Sequence, residues 1–178
     1  NDDMSGGAGV DWMRGDAGQD SMRGGSGMDY VFGGEGNDTL DGGTDGDIMY
    51  GDNGNDSMLG ADGNDSVFGG AGGDTILGGE GDDRLRGGGS ADKLYGGAGK
   101  DIFIYGAIAD SNATTGRDFI YDFVKGEDKI DLSLVDADST VIGNQAFFFT
   151  GAPTMFASAG EVTVGTGLLG STVNCDLN

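Results

Sequence analysis

Between Gly6 and Ile104 an apolar residue recurs at every ninth position, mostly flanked by residues that suit water. The series is Met13, Met22, Val31, Leu40, Met49, Met58, Val67, Ile76, Leu85, Leu94 and Phe103. Two residues before each stands an acid: Asp11, Asp20, Asp29, Asp38, Asp47, Asp56, Asp65, Asp74, Asp83, Asp92 and Asp101. Every nine-residue unit opens on Gly, and eleven units run without insertion or deletion from Gly6–Arg14 to Gly96–Ile104. Asn1 to Ser5 fit positions five to nine of an earlier unit, with Asp2 at the acidic position and Met4 at the apolar one. The chain therefore reads as a piece of a longer protein.

The pattern G-G-x-G-x-D-x-U-x, with U apolar, predicts a turn and a strand in each unit. Gly reaches positive φ without steric cost, so the Gly-rich half is expected to turn. The last three residues are expected to form a short strand. Side chains alternate along a strand, so position eight faces inward while positions seven and nine face water. Two units then make one coil, and each turn stacks on the turn 18 residues away. One edge carries Asp11, Asp29, Asp47, Asp65, Asp83 and Asp101; the other carries Asp20, Asp38, Asp56, Asp74 and Asp92. Calcium takes six to eight hard oxygen ligands. A single Asp per turn supplies too few, whereas two stacked turns with their carbonyls supply enough. Six turns enclose five gaps and five enclose four, and Asp2 would complete a tenth.

Charge supports the same reading. The 178 residues include 31 acids, 9 bases and no His, for a net charge of −22. Nine or ten calcium ions bring 18 to 20 positive charges, close to cancelling that value. A solenoid without metal would stack carboxylates ~4.8 Å apart with no counter-charge. A disordered acidic tract would not hold Asp at every ninth position. The balance excludes a basic nucleic-acid footprint and attraction to an anionic membrane surface. No apolar run reaches the 18 residues that would suggest a membrane-spanning helix. Without His there is no H-E-x-x-H zinc motif, and no nucleophile motif is present, so no enzyme is expected in this chain. Cys175 is the lone cysteine, either an isolated small residue or an intermolecular disulfide partner.

Some units depart from the pattern. Asp16, Asp52 and Ala61 replace Gly at position two, and Asp45 and Ser90 replace it at position four. The turns at Asp45 and Ser90 are expected to be the weakest. Met4, Met13, Met22, Met49 and Met58 suit irregular packing in a thin core. Trp12, Tyr30, Tyr50 and Tyr95 should face out, as scattered exposed aromatics or as lateral contacts to other domains or copies. After Ile104 the phase stops and aromatics rise. Residues 1–104 are expected to form the roll, and 105–178 a β region capping its open end. Strands are expected at Arg117–Phe123, Lys129–Leu132, Ala146–Phe149 and Glu161–Val164, with a turn at Val124–Asp128. In Arg117–Phe123, Phe119, Tyr121 and Phe123 would share one face and Asp118 and Asp122 the other. Asp110 or Asp118 could supply the carboxylate that follows Asp101.

Asp101-Ile102-Phe103-Ile104-Tyr105, Asp118-Phe119-Ile120-Tyr121-Asp122-Phe123 and Gly126-Glu127-Asp128-Lys129-Ile130-Asp131-Leu132-Ser133 resemble the C-terminal region of serralysin-type metalloproteases. Asn144–Gly151 and Phe156–Glu161 continue the likeness, and similar segments occur in other RTX exoproteins such as alginate epimerases. With the repeats, which match the calcium-binding RTX nonapeptide, the resemblance spans nearly the whole chain. It implies an all-β, right-handed parallel β-roll with calcium between its turns. It also implies type I secretion in an unfolded state and folding outside the cell. Carried over, the ligands are the repeat Asp side chains and carbonyls of turn glycines such as Gly33, Gly36, Gly69, Gly72, Gly78 and Gly81. The family's protease domain is absent from this chain, which stops at Cys175-Asp176-Leu177-Asn178.

The function expected is a calcium-binding module that folds on meeting extracellular calcium, as part of a larger secreted protein. The alternative is a structural segment of a surface layer, adhesin or filament. Calcium ions, other domains of the parent protein or further copies of the chain are the expected partners, with no nucleic acid and no membrane insertion.

Overall fold

The apolar residue at position eight and the Gly two residues later share one strand face, and this sets the architecture. In the computed structural model, residues 1–107, 110, 116–132, 134, 148–149, 163–164 and 173–174 are described. The first five strands are β1 (Asp3–Ala8), β2 (Trp12–Ala17), β3 (Ser21–Ser26), β4 (Tyr30–Glu35) and β5 (Thr39–Thr44). The next six are β6 (Ile48–Asn53), β7 (Ser57–Asp62), β8 (Ser66–Ala71), β9 (Thr75–Glu80), β10 (Arg84–Gly89) and β11 (Lys93–Ala98). Each spans six residues, not the three expected. It runs through positions seven to nine and on through positions one to three of the next unit, because the opening glycines also join the ladder (Gly7↔Gly25, Gly25↔Gly43). The turn is only positions four to six.

Strands pair in parallel with the strand two units away. The odd-numbered strands build one sheet and the even-numbered strands another, giving a two-sheeted parallel β-roll. The sheets continue past Ile104. Strand β12 (Ile102–Ile104) pairs with β14 (Lys129–Asp131), and β11 pairs with β13 (Phe119–Ile120), which pairs in turn with β15 (Phe148–Phe149). Strands β16 (Thr163–Val164) and β17 (Val173–Asn174) form a separate antiparallel pair. Among the described residues there is no helix. Cys175 and most of 133–178 lie outside the described residues.

The core is one side chain thick from each sheet. Met13, Val31, Met49, Val67, Leu85 and Phe103 face Met22, Leu40, Met58, Ile76, Leu94 and Ile120, all buried. Burying each contributes about 1.5–3 kcal/mol. The faces expected for Arg117–Phe123 hold from Asp118 to Tyr121 and need correction at Phe123. Ile120 and Asp118 are buried, Phe119 and Tyr121 lie on the outer side, and Phe123 turns back to pack on the core. The alternation fails because the strand ends at Ile120. The expected turn at Val124–Asp128 is present, with Asp128 N–H donating to Val124 O at 2.9 Å.

Candidate metal centre

Positions six, eight and one of consecutive units alternate inward along each strand, so every repeat Asp enters the edge of the core. Asp20 through Asp101 are 0–3% exposed. The 18-residue stacking then decides what each carboxylate touches. Oδ1 of Asp38 accepts the backbone N–H of Asp20 at 2.8 Å, Oδ1 of Asp56 accepts that of Asp38, and Oδ1 of Asp74 accepts that of Asp56. The other edge repeats this from Asp29 to Asp101, as in Asp47 N–H to Asp65 Oδ1 at 2.8 Å. Asp2 N–H donates to Asp20 Oδ1 at 2.5 Å, which places Asp2 in its predicted column, although its side chain is exposed.

The second oxygen is the chemically important one. From Asp11 to Asp83, and again in Asp101, Oδ2 is buried and has no hydrogen-bond partner. It lies against the Gly that opens the same unit. A Cβ on Gly15 would sit 2.5 Å from Asp20 Oδ2 and 2.6 Å from Gly33 O. The position-one carbonyls of Gly33, Gly69 and Gly78 thus gather beside the carboxylates of Asp20, Asp56 and Asp65. Gly36, Gly72 and Gly81 donate their N–H groups to Asn53 O, Gly89 O and Ala98 O. Carbonyls of Gly36 and Gly81 run along the stack to Gly54 and Gly99.

Burial without a counter-charge raises the carboxyl pKa values from the ordinary 3.8. Asp47 and Asp56 are pushed up to about 6 by desolvation, which outweighs the lowering by a backbone N–H donor. Asp74 and Asp83 rise to about 7 for the same reason. Asp65 and Asp101 move in the same direction. A buried oxygen with neither donor nor cation is costly, and a hard divalent cation meets its need. Among the described residues no three His, Cys, Asp or Glu side chains converge. Backbone carbonyls such as Gly33 O, Gly69 O and Gly78 O are the nearby oxygens that could add to a cation's shell.

A family model described as Peptidase M10 serralysin C terminal matches residues 13–165. The chain belongs to this serralysin C-terminal family. Family membership supports a calcium-binding RTX repeat module, the repeat part of serralysins rather than their catalytic part. No curated protein matches. Among solved structures, the chain is similar to the solution structure of the AlgE6R3 subunit of the Azotobacter vinelandii mannuronan C5-epimerase. Identity is 27%, the TM-score is 0.42, and the match covers 74% of this chain and 58% of that one. The chain thus spans a little over half of that structure's length.

In this serralysin C-terminal chain the carboxylate columns outlast the nonapeptides. Asp118 does not follow Asp101. Its Oδ1 accepts Asp92 N–H at 3.0 Å, and Asp128 Oδ1 accepts Asp101 N–H at 3.0 Å. The edges alternate, so the residue after Asp101 in its column must come one turn later. Asp118 is buried beside Asp92 and the Tyr105 hydroxyl, and burial raises the pKa of both acids. Asp128 differs from the repeat acids because its Oδ2 already accepts Val124 N–H at 2.7 Å. Asp110 lies outside both columns. Its Oδ2 accepts Gly106 N–H at 2.7 Å and pairs with Arg86 at 3.0 Å, tying Gly106 to β10.

Sequence reasoning missed Asp128, although the signal was there. Gly116-Arg117-Asp118-Phe119-Ile120 and Gly126-Glu127-Asp128-Lys129-Ile130 both keep G-x-D-x-U after the nine-residue phase is lost. It also missed a second ladder at position five. Asn37 Oδ1 accepts Asn55 N–H, Asn55 Oδ1 accepts Gly73 N–H, and Asn64 Oδ1 accepts Asp82 N–H, at 2.7–2.9 Å. These bonds run up the stack, whereas the Asp bonds run down it.

Proposed function

We propose that this chain is a calcium-dependent folding module of a larger secreted protein. Its ligands are the Oδ2 atoms of Asp11 through Asp101 and position-one carbonyls such as Gly33, Gly69 and Gly78. Asp118 and Asp2 serve at the column ends, and the carbonyls of Gly36, Gly72 and Gly81 add further oxygens from the turns. The observation that carries this reading is the double column of buried Oδ2 atoms without hydrogen-bond partners. Bound calcium supplies the positive charge that lets these carboxylates stay ionised in the edge of the core. Where calcium is scarce, 31 acids against 9 bases keep the chain expanded. Extracellular sites fill at roughly 10⁻⁴–10⁻³ M calcium, and folding follows by linkage. Secretion through a type I transporter in the unfolded state fits this dependence. Residues 105–178 would cap the roll of 1–104.

The test is a calcium titration followed by circular dichroism and sedimentation velocity. Asp56→Ala and Asp65→Ala each remove one Oδ2 and are expected to raise the calcium midpoint several-fold. An unchanged midpoint in both variants rejects the ligand assignment. A compact monomer that expands in chelator supports the module. Large assemblies that form only with calcium favour a surface-layer or filament segment instead.

A further inference from the structure

The outer face of the even-numbered sheet carries an apolar patch that metal binding does not use. Trp12 on this face is 70% exposed, and Val10 and Met28, 63% and 49% exposed, lie in the turns that lead into β2 and β4. Trp12 stacks on Tyr30 with ring centroids 4.1 Å apart, and Phe32 on Tyr50 at 5.3 Å. Tyr50 continues onto Phe68 at 4.8 Å. The rings stand at positions seven and nine of units 18 residues apart, so strand register alone brings them into columns. A contiguous exposed apolar patch with a polar rim marks an interaction surface.

The rim indicates the partner. Beside the rings, Arg14, Asp16, Glu35 and Asp52 line a notch of about 440 Å³. Arg14 is spent on Asp16, with Nε 2.6 Å from Oδ1. Glu35 and Asp52 have no ion-pair partner among the described residues. We propose that this face docks a polypeptide segment in which apolar side chains alternate with Lys or Arg. The apolar side chains lie on the ring columns, and a cation enters the notch against Glu35 and Asp52. Charge separates this partner from the other candidates. A second copy sets the same acidic rim, with Glu35 and Asp52 lacking ion-pair partners among the described residues, against its own kind, and an anionic lipid surface is repelled too. A basic segment gains complementary charge at the rim and apolar burial at the centre.

Trp12 is the only tryptophan, so its emission reads the patch directly. The full chain in calcium is titrated with a soluble peptide alternating Lys with Val and Phe. Two controls carry Glu in place of Lys, or Ser in place of Val and Phe. The expected result is a saturable blue shift with the first peptide alone. The same peptide should bind about tenfold more weakly in high salt and to Glu35→Gln/Asp52→Asn, a conservative pair whose fold is checked by circular dichroism in calcium. No saturable response to the Lys peptide, or an equal response to the Glu peptide, overturns the proposal. A shift on concentrating the protein alone, with a dimer in sedimentation, assigns the patch to a second copy and also overturns it. A shift with phosphatidylserine vesicles does the same in favour of a membrane.

Discussion

At Gly15 no side chain fits, because Asp20 Oδ2 and Gly33 O already crowd the Cβ position at 2.5 and 2.6 Å. The first residue of every unit is Gly for that reason. Positions two and four need Gly for a different reason, which is left-handed backbone. All five departures from Gly there still adopt it, with φ of 63° at Asp16, 75° at Asp45, 70° at Asp52, 82° at Ala61 and 100° at Ser90. Asp tolerates this region better than Ala or Ser. Replacing Ala61 by Gly should therefore stabilise the calcium-loaded roll by about 1 kcal/mol, read as a higher midpoint in denaturant. No change in midpoint would mean that the turn at Ala61 carries no strain.

Each strand buries one apolar side chain and one Gly, so a single truncation has no second layer to close over it. Ile76 is fully buried between Met58 and Leu94 in its column. Ile76→Ala is expected to cost about 2–5 kcal/mol, measured by chemical denaturation in saturating calcium. A cost below about 1 kcal/mol would show that the neighbouring coils collapse into the space. The strands are also held at their edges by two opposed ladders, Asp carboxylates capping N–H groups one coil earlier and Asn amides capping those one coil later. The position-five ladder also includes Asn1, which caps Gln19 N–H, and Asp82, which caps Lys100 N–H, and it needs no ion.

For the molecule as a whole, pH and calcium act on the same oxygens with opposite signs under the proposed ligand assignment. Asp74 and Asp83 are held near 7, and Asp47 and Asp56 near 6, against 3.8 ordinarily. The folded state without calcium therefore favours the protonated acids. Its stability is fully present below about pH 3.8 and is lost as pH rises through 6 to 7. Calcium needs the ionised form, so protons compete with it. Denaturation in chelator should show a more stable fold at acidic than at alkaline pH. The calcium midpoint should move to higher concentration as the solution is acidified. A chelated chain that is more stable at alkaline pH would contradict the buried-carboxylate account.

The nine-residue period by itself determined the parallel roll, the inward column from Met13 to Phe103 and the two edges of Asp, because a solenoid repeats its contacts at a fixed chain distance. It placed a single invariant Asp in each turn, which by itself gives calcium too few oxygens. Only the tertiary structure decided which oxygen of each Asp caps a backbone N–H and which is left without a hydrogen bond, since that depends on how adjacent coils stack. It also decided that Asp118 and Asp128, not Asp110, continue the columns, because the loops after Ile104 break the period while strand register restores it. The aromatic residues show the same division. Trp12 and Tyr30, and Phe32, Tyr50 and Phe68, look scattered at a period of nine. They become stacked columns at 18, the distance set by one full coil.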